Sequence, residues 1–242
     1  MKIGIAQLQS VRGDIAQNKE KHLRFVALAA EKQADFLVFP ELSLTNYEPL
    51  LAESLAVESD DALLDEFQEL SNLHRMTIGV GMPTRSAVGL HISLVLFCPH
   101  QTRLVYSKKY LHADEEPFFV SGENFTTVEV KDEAVALAIC YELSVVEHTE
   151  CAINSGAKVY VASVAKTEAG MEKSAEILSK LAKEHSMTVL IANCVGPCED
   201  FVGIGKSAAW SPEGLLKQLD DETEGVLVVD TKTHKFDVGI NS

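Results

Sequence analysis

The chain has 242 residues, 46% of them hydrophobic, enough to fill a large core within the size range of one α/β domain. Its formal net charge of −15 sets it against nucleic acid and anionic membrane surfaces, both of which would repel it. No segment approaches the ~20 apolar residues needed to span a bilayer, and five cysteines in a chain this long do not describe a disulfide framework.

Met1-Lys2-Ile3-Gly4-Ile5 enters a strand directly, with no apolar signal region. Residues 14–33 read as a helix with Ile15, Leu23, Val26, Ala27 and Ala30 on one face. The run Phe36-Leu37-Val38-Phe39-Pro40 then ends in a carboxylate, Glu41. A second helix is predicted over 61–74, with Leu63, Leu64, Phe67 and Leu70 inward. Strands are predicted over 77–82, 90–97 and 102–107, separated by turns at Pro83 and Pro99-His100. The last of these ends in an ammonium, Lys108, and residues 112–124 read as a polar loop.

Val135-Ala136-Leu137-Ala138-Ile139 is an apolar strand that ends in a thiol, Cys140, with polar Tyr141-Glu142 just beyond. A short helix near 144–155 follows, then a strand over 159–162. Next comes a helix over 171–185, with Ala175, Leu178, Leu181 and Ala182 on one face. Strands over 188–193, 207–211 and 225–230 complete the pattern. There is no repeat, low-complexity tract or linker, so residues 1–242 are expected to form one domain. Helix–strand alternation early and late, with consecutive strands between, suits two stacked sheets with helices outside.

Taken singly, a Cys at a strand end is usually a small core hydrophobe, and a Glu after Pro or a Lys after a strand is usually a solvated end. Together, a carboxylate, an ammonium and a thiol, each closing a strand, describe a Glu-Lys-Cys hydrolase. The flanking residues resemble the nitrilase superfamily of carbon–nitrogen hydrolases. The stretch from Phe39-Pro40-Glu41-Leu42 to Tyr47-Glu48-Pro49 matches its Glu motif. The stretch from Tyr106-Ser107-Lys108-Lys109 to Glu115-Glu116-Pro117-Phe118 matches its Lys motif, and Ala138-Ile139-Cys140-Tyr141-Glu142 its Cys motif. Ile3-Gly4-Ile5-Ala6-Gln7-Leu8 and Ile191-Ala192-Asn193-Cys194-Val195-Gly196-Pro197 are also similar, so the resemblance runs over nearly the whole chain. It implies a four-layer αββα sandwich, an activity without cofactor or metal, and a homodimer or higher homo-oligomer. The dimer would be packed through the helix near 144–155, where Val145, Val146, Ala152 and Ile153 offer apolar contacts.

Two adjacent lysines compete for the ammonium. Strand side chains alternate faces, so Tyr106 and Lys108 share one side while Ser107 and Lys109 share the other. The family pattern, with Tyr two before the Lys and Leu three after it, selects Lys108. The resemblance further implies Glu41 as general base, Cys140 as nucleophile, and Lys108 with the backbone N–H of Tyr141 as oxyanion donors. A second Glu in the following loop, Glu115 or Glu116, would position the Lys and the substrate; the spacing to Pro117 favours Glu115. Ser163 and Lys166 are candidates for the substrate pocket, and Lys166 is suited to a substrate carboxylate as in an ω-amidase.

The expected reaction is hydrolysis of a small amide through a Cys thioester, releasing ammonia or an amine. Nitrilase, N-carbamoyl amidohydrolase and thiol-dependent acyltransferase chemistries stay open. Cys194 and Cys198 are four apart but lack a second pair or a neighbouring His, so no metal site is expected. A thiol nucleophile suits a reducing cytoplasm. Two departures from the family pattern stand out. Leu90-His91-Ile92-Ser93 keeps only the Ser of a common Asn-Ser pair, and Ser242 ends the chain without the extended tail some relatives use in dimer contacts.

Overall fold

The structure, a computed structural model, describes residues 1–123 and 127–241. The elements in chain order are β1 (Lys2–Gln7), α1 (Ile15–Glu31), β2 (Phe36–Val38), α2 (Ala52–Leu55), α3 (Asp65–His74), β3 (Thr77–Ser86), β4 (Gly89–Phe97) and β5 (Leu104–Ser107). They continue with β6 (Thr127–Val130), β7 (Glu133–Ile139), α4 (Val146–Asn154), β8 (Val159–Val164), α5 (Glu168–His185), β9 (Thr188–Asn193), β10 (Val195–Pro197), β11 (Val202–Ile204), β12 (Ala208–Ser211), β13 (Gly214–Gln218), β14 (Gly225–Asp230) and β15 (Phe236–Ile240).

Two mixed sheets result. Seven strands run in the order β15-β14-β1-β2-β3-β4-β5 and six in the order β13-β12-β9-β8-β7-β6; β10 and β11 pair separately. Strand alternation explains how they stack. Ile3, Ile5, Phe36 and Val38 face Val135, Leu137, Ile139, Val161 and Leu190 in one apolar layer between the sheets. The opposite faces are apolar too. Ala6 and Leu37 of the first sheet pack with Phe25 and Val26 of α1 and Phe67 of α3. Ala136, Tyr160 and Ile191 of the second pack with Ala152 of α4 and Leu178 and Leu181 of α5. Burial on both faces is why these strands read as continuous hydrophobic runs. The arrangement is the four-layer αββα sandwich.

The buried face of α1 is turned from the predicted one: Asn18, His22, Phe25, Val26 and Ala29 face inward, while Ala27 is exposed. Two of the buried positions are polar, which an apolar periodicity cannot see. The Asn18 amide donates to the Val11 and Leu44 carbonyls, and His22 bonds Asn18 O and Ser43 Oγ. Pro83 is no turn either; it lies inside β3, opposite Ile92. The Ile92 carbonyl points the other way, accepting from Lys108 N–H at 2.8 Å, so the Pro83–Ile92 pair exchanges no ladder bonds and the missing N–H is not needed. The short edge or hairpin strands β6, β10, β11, β13 and β15 were outside the predicted set. The polar loop from His112 holds neither helix nor strand up to Glu123; Asn124, its last predicted residue, lies outside the described residues. Among the described residues no helix is long and apolar enough to cross a membrane.

Candidate active site

Three chain segments converge between the two sheets. After β2 the chain turns sharply through Phe39-Pro40-Glu41-Leu42, with Leu42 in the left-handed region at φ 51°. Backbone bonds from Phe39 N to Gly79 O and from Leu44 N to Gly81 O seat this turn on β3. Gly81 must be glycine, because a Cβ there would stand 2.2 Å from the Pro40 carbonyl oxygen. The Ser163 hydroxyl, on β8 of the other sheet, donates to the Phe39 carbonyl at 2.8 Å.

Lys108 follows β5, its N–H bound to Ile92 O and its carbonyl accepting from Gly122 N. A Cβ on Gly122 would meet Ser107 O at 2.2 Å, so the returning loop also requires glycine. The Lys108 side chain is fully buried and donates to Glu41 Oε1 at 2.8 Å and to Glu115 Oε1 at 2.6 Å. Glu115 is held in turn. Its Oε1 accepts from the Tyr47 hydroxyl at 2.9 Å and its Oε2 from His112 N–H at 2.7 Å. Its neighbour Glu116 is exposed, and Lys109 lies half-buried with its ammonium over the Tyr110 ring.

Cys140 closes β7 and opens a short 3₁₀ turn, Cys140–Ser144. It has φ 45°, an uncommon conformation for a residue with a Cβ. The Cys140 thiol is 3.9 Å from Ala165 O. The first N–H groups of a helical turn have no acceptor within it, so the turn itself leaves the Tyr141 N–H without one. Glu41 Oε2 is buried and accepts no hydrogen bond from the described residues.

The electrostatics follow from this burial. It pushes the Glu41 carboxyl above its ordinary value, opposed by the Lys108 charge and hydrogen bond and reinforced by the Glu115 charge. Burial draws Lys108 down, but Glu41, Cys140 and Glu115 outweigh it and leave the ammonium raised. The Cys140 thiol is pushed up to about 11 by burial and by the Glu41 charge, against the pull of Lys166 and Lys108. At neutral pH the resting site therefore holds a protonated thiol beside an ammonium.

Cys140 opens into a cleft of about 280 Å³, walled by Tyr47, Glu115, Tyr141, Lys166 and Phe201 among others. Lys166 reaches this wall because Asn193 grips its backbone from both sides. Asn193 Oδ1 accepts from Lys166 N at 2.8 Å, and Asn193 Nδ2 donates to Lys166 O at 3.1 Å. Ser163, expected with it, does not line the cleft; it is buried and spent on the Phe39 carbonyl. Tyr47 and Asn193 carry no expected role in the sequence reading, although both fall in stretches that resemble the family. A larger cleft, about 600 Å³, opens beside Arg12, Lys21 and Glu199 and contains none of the Glu41-Lys108-Glu115-Cys140 cluster. The Cys194 and Cys198 thiols are buried 3.7 Å apart, and no group of three or more His, Cys, Asp or Glu among the described residues is arranged to hold a metal ion.

The family model for carbon-nitrogen hydrolases matches residues 2–235. An (R)-stereoselective amidase from Pseudomonas sp is 28% identical over 238 residues, which are 95% of this chain and 85% of that protein. A glutamine-dependent NAD(+) synthetase from Aquifex aeolicus (strain VF5) is 25% identical over 225 residues; this chain spans only 39% of its length. Among solved structures, an amidase from Nesterenkonia sp. AN1 superposes with TM-score 0.85 at 25% identity, covering 96% of this chain and 93% of that one. With a match over nearly its full length, the chain belongs to the carbon-nitrogen hydrolase family.

Proposed function

We propose that this protein hydrolyses a small, non-peptide amide with Glu41 as general base, Cys140 as nucleophile and Lys108 as electrostatic stabiliser, in a single domain. The observation that carries the proposal is the buried Lys108 ammonium held between two carboxylates beside a half-buried thiol. A thiol pushed up to about 11 is almost wholly protonated at pH 7 and needs a base at its side. Glu41 takes the Sγ proton as sulfur attacks the amide carbon. The oxyanion that forms is met by Lys108 and by the Tyr141 N–H. Glu41 returns the proton to the leaving nitrogen, which departs as ammonia or an amine and leaves a thioester. Water, deprotonated by Glu41, then releases the acid and restores the thiol. Glu115 positions Lys108 from the far side. Relatives include an amidase solved in complex with butyramide, which favours a linear amide over a nitrile.

Purified protein offered a panel of amides, carbamoyl compounds and nitriles should release ammonia from the amides; turnover of nitriles alone would overturn the reading. Cys140→Ala should abolish turnover. Glu41→Gln and Lys108→Ala should each lose at least ~10²-fold, as single oxyanion-donor deletions do, and Lys109→Ala should be nearly silent. Because burial raises the Glu41 carboxyl, its base form is lost on acidification sooner than that of an ordinary Glu. The acid limb of kcat/KM should therefore lie above the usual carboxylate range.

Exposure alone would favour alkylation of Cys151, which is exposed, over Cys140; the remaining three cysteines are buried. If Glu41 is the base, iodoacetamide should modify Cys140 saturably, and Glu41→Gln should suppress that modification while leaving Cys151 labelling unchanged. Peptide mass spectrometry reads both, and loss of Cys151 labelling alone would refute the assignment.

The Lys166 ammonium, which has no ion-pair partner among the described residues, stands at the cleft wall and favours amides that also carry a carboxylate, such as the monoamide of a dicarboxylic acid. Lys166→Ala should raise KM for such a monoamide about tenfold or more and leave a neutral amide of equal length unaffected, consistent with loss of one charge-assisted contact. Equal effects on both would argue against a carboxylate site.

We also propose a homodimer in a reducing, cytoplasmic compartment. Ala152 is buried in the chain's own core, but Val146 is 67% exposed and, with Val145, Ile153 and Ile177, lines a groove of about 450 Å³ between α4 and α5. Light scattering at micromolar concentration should return twice the mass of one chain, and Val146→Glu should halve it; a single-chain mass for the unsubstituted protein would refute the dimer.

A further inference from the structure

Glu142 is a fully buried carboxylate that the reaction above does not use. Its Oε2 accepts from Ile139 N–H at 2.7 Å and from the Tyr106 hydroxyl at 2.5 Å. Its Oε1 accepts from Lys109 N–H at 2.7 Å and, more weakly, from Tyr110 N–H at 3.4 Å. These donors come from both sheets. Ile139 ends β7 immediately before Cys140, whereas Tyr106, Lys109 and Tyr110 belong to β5 and its continuation on either side of Lys108. One side chain thus spans the seam at the level of the thiol and the ammonium.

We propose that Glu142 is a positioning residue for the amide hydrolysis assigned above, its carboxylate fixing Cys140 against Lys108 so that both reach one carbonyl group.

Four donors converging on one group require two acceptor oxygens with all their lone pairs, which among side chains only a carboxylate supplies. An amide of the same shape would turn an NH₂ against N–H or O–H donors on one side. Behind the carboxylate the bonds run in one direction. The Tyr106 hydroxyl donates to Glu142 and so accepts from His148 Nε2–H at 2.9 Å; His148 Nδ1 is then the acceptor for the Tyr160 hydroxyl at 3.4 Å. Burial pushes His148 down to about 4, so it stands there as a neutral donor and not as a counter-ion. Burial also raises the Glu142 carboxyl, while Tyr106 and the backbone donors pull it back.

A plainer role is open to the same residue. A Glu third in a helical turn that reaches back to the N–H preceding the turn is half of a capping box, and the Ile139 bond satisfies that description. A cap does not need the Lys109 and Tyr110 bonds, which are the ones that tie the Cys140 turn to the other sheet. The two roles differ in what they predict for the folded enzyme. A cap affects how much protein is folded, whereas a positioning residue affects turnover in protein that is folded.

Glu142→Gln and Glu142→Asp should be compared with the unsubstituted enzyme in a Cys151→Ala background, at a temperature where circular dichroism shows each folded. The expected result for Glu142→Gln is a kcat lower by about 10²-fold with KM within about threefold, the scale on which a displacement of ~1 Å acts. Iodoacetamide modification of Cys140 should slow in parallel. Glu142→Asp keeps the charge and the cap but falls short of the Lys109 side, and should lose at least about tenfold in kcat. Turnover within twofold of the unsubstituted enzyme in either folded variant, or a loss confined to melting temperature, would overturn the proposal. Should the unsubstituted protein hydrolyse no amide, the proposed reaction fails. The alkylation rate of Cys140 still decides the role of Glu142: slowing upholds it and an unchanged rate overturns it.

Discussion

The Lys108 ammonium, buried between Glu41 and Glu115, is the constraint on which the rest of the site depends. Removing three charged groups from water costs several kcal/mol each, and mutual attraction repays that only when geometry and hydrogen bonding are nearly complete. The surrounding chain shows how completeness is reached. Lys108 is fixed through its backbone to Ile92 and Gly122, Glu115 through Tyr47 and His112, and the Glu41 turn through Gly79, Gly81 and Ser163. Such a cluster is a poor way to gain stability, since apolar side chains of similar volume would usually serve as well. Its presence points to the chemistry it enables.

The fold supplies the meeting point. Glu41, Lys108 and Cys140 follow the ends of β2, β5 and β7, two of those strands lying in one sheet and the third in the other. Stacking brings all three ends to one seam, and the inter-sheet layer of Ile5, Val38, Leu137 and Ile139 holds the sheets in a fixed relation. Position along each strand then decides what a side chain can do. Ser163, one residue before the end of β8, ties the two sheets together, while Lys166, three residues further along and past the strand end, reaches the cleft wall.

Much of this was legible in the sequence wherever a period or a local signal recorded it. Two-residue alternation separated Lys108 from Lys109, and the structure buries the first and leaves the second half-exposed. The long central strands and the helices of 61–74 and 171–185 announced themselves by apolar spacing. What stayed hidden was determined by partners distant in sequence. The buried face of α1 includes Asn18 and His22, whose burial depends on a carbonyl and a hydroxyl in the Glu41 turn. Pro83 can occupy β3 because of which way Ile92 faces in the neighbouring strand. Asn193 and Glu142 look like ordinary polar residues until the structure shows the backbone groups they bind. The edge strands β13 and β15 are short and half-exposed, so neither periodicity nor composition marked them.

The charge balance also explains why the site rests with its thiol protonated. A Cys paired with a histidinium is drawn towards thiolate by a neighbouring positive charge. Here the nearest base is itself an anion: Glu41 pushes the thiol up while Lys108 and Lys166 pull it down, and burial adds to the upward side. Glu41, in turn, would tend to take a proton in so buried a place, but the Lys108 charge and hydrogen bond resist that. Proton and base are thus held in adjacent groups, each restrained from titrating alone. In the proposed mechanism, transfer becomes favourable only when sulfur gains a carbon partner and negative charge moves on to an oxygen beside Lys108. In the reaction proposed for this site, coupling deprotonation to attack in this way keeps Cys140 unreactive until an amide carbonyl occupies the cleft.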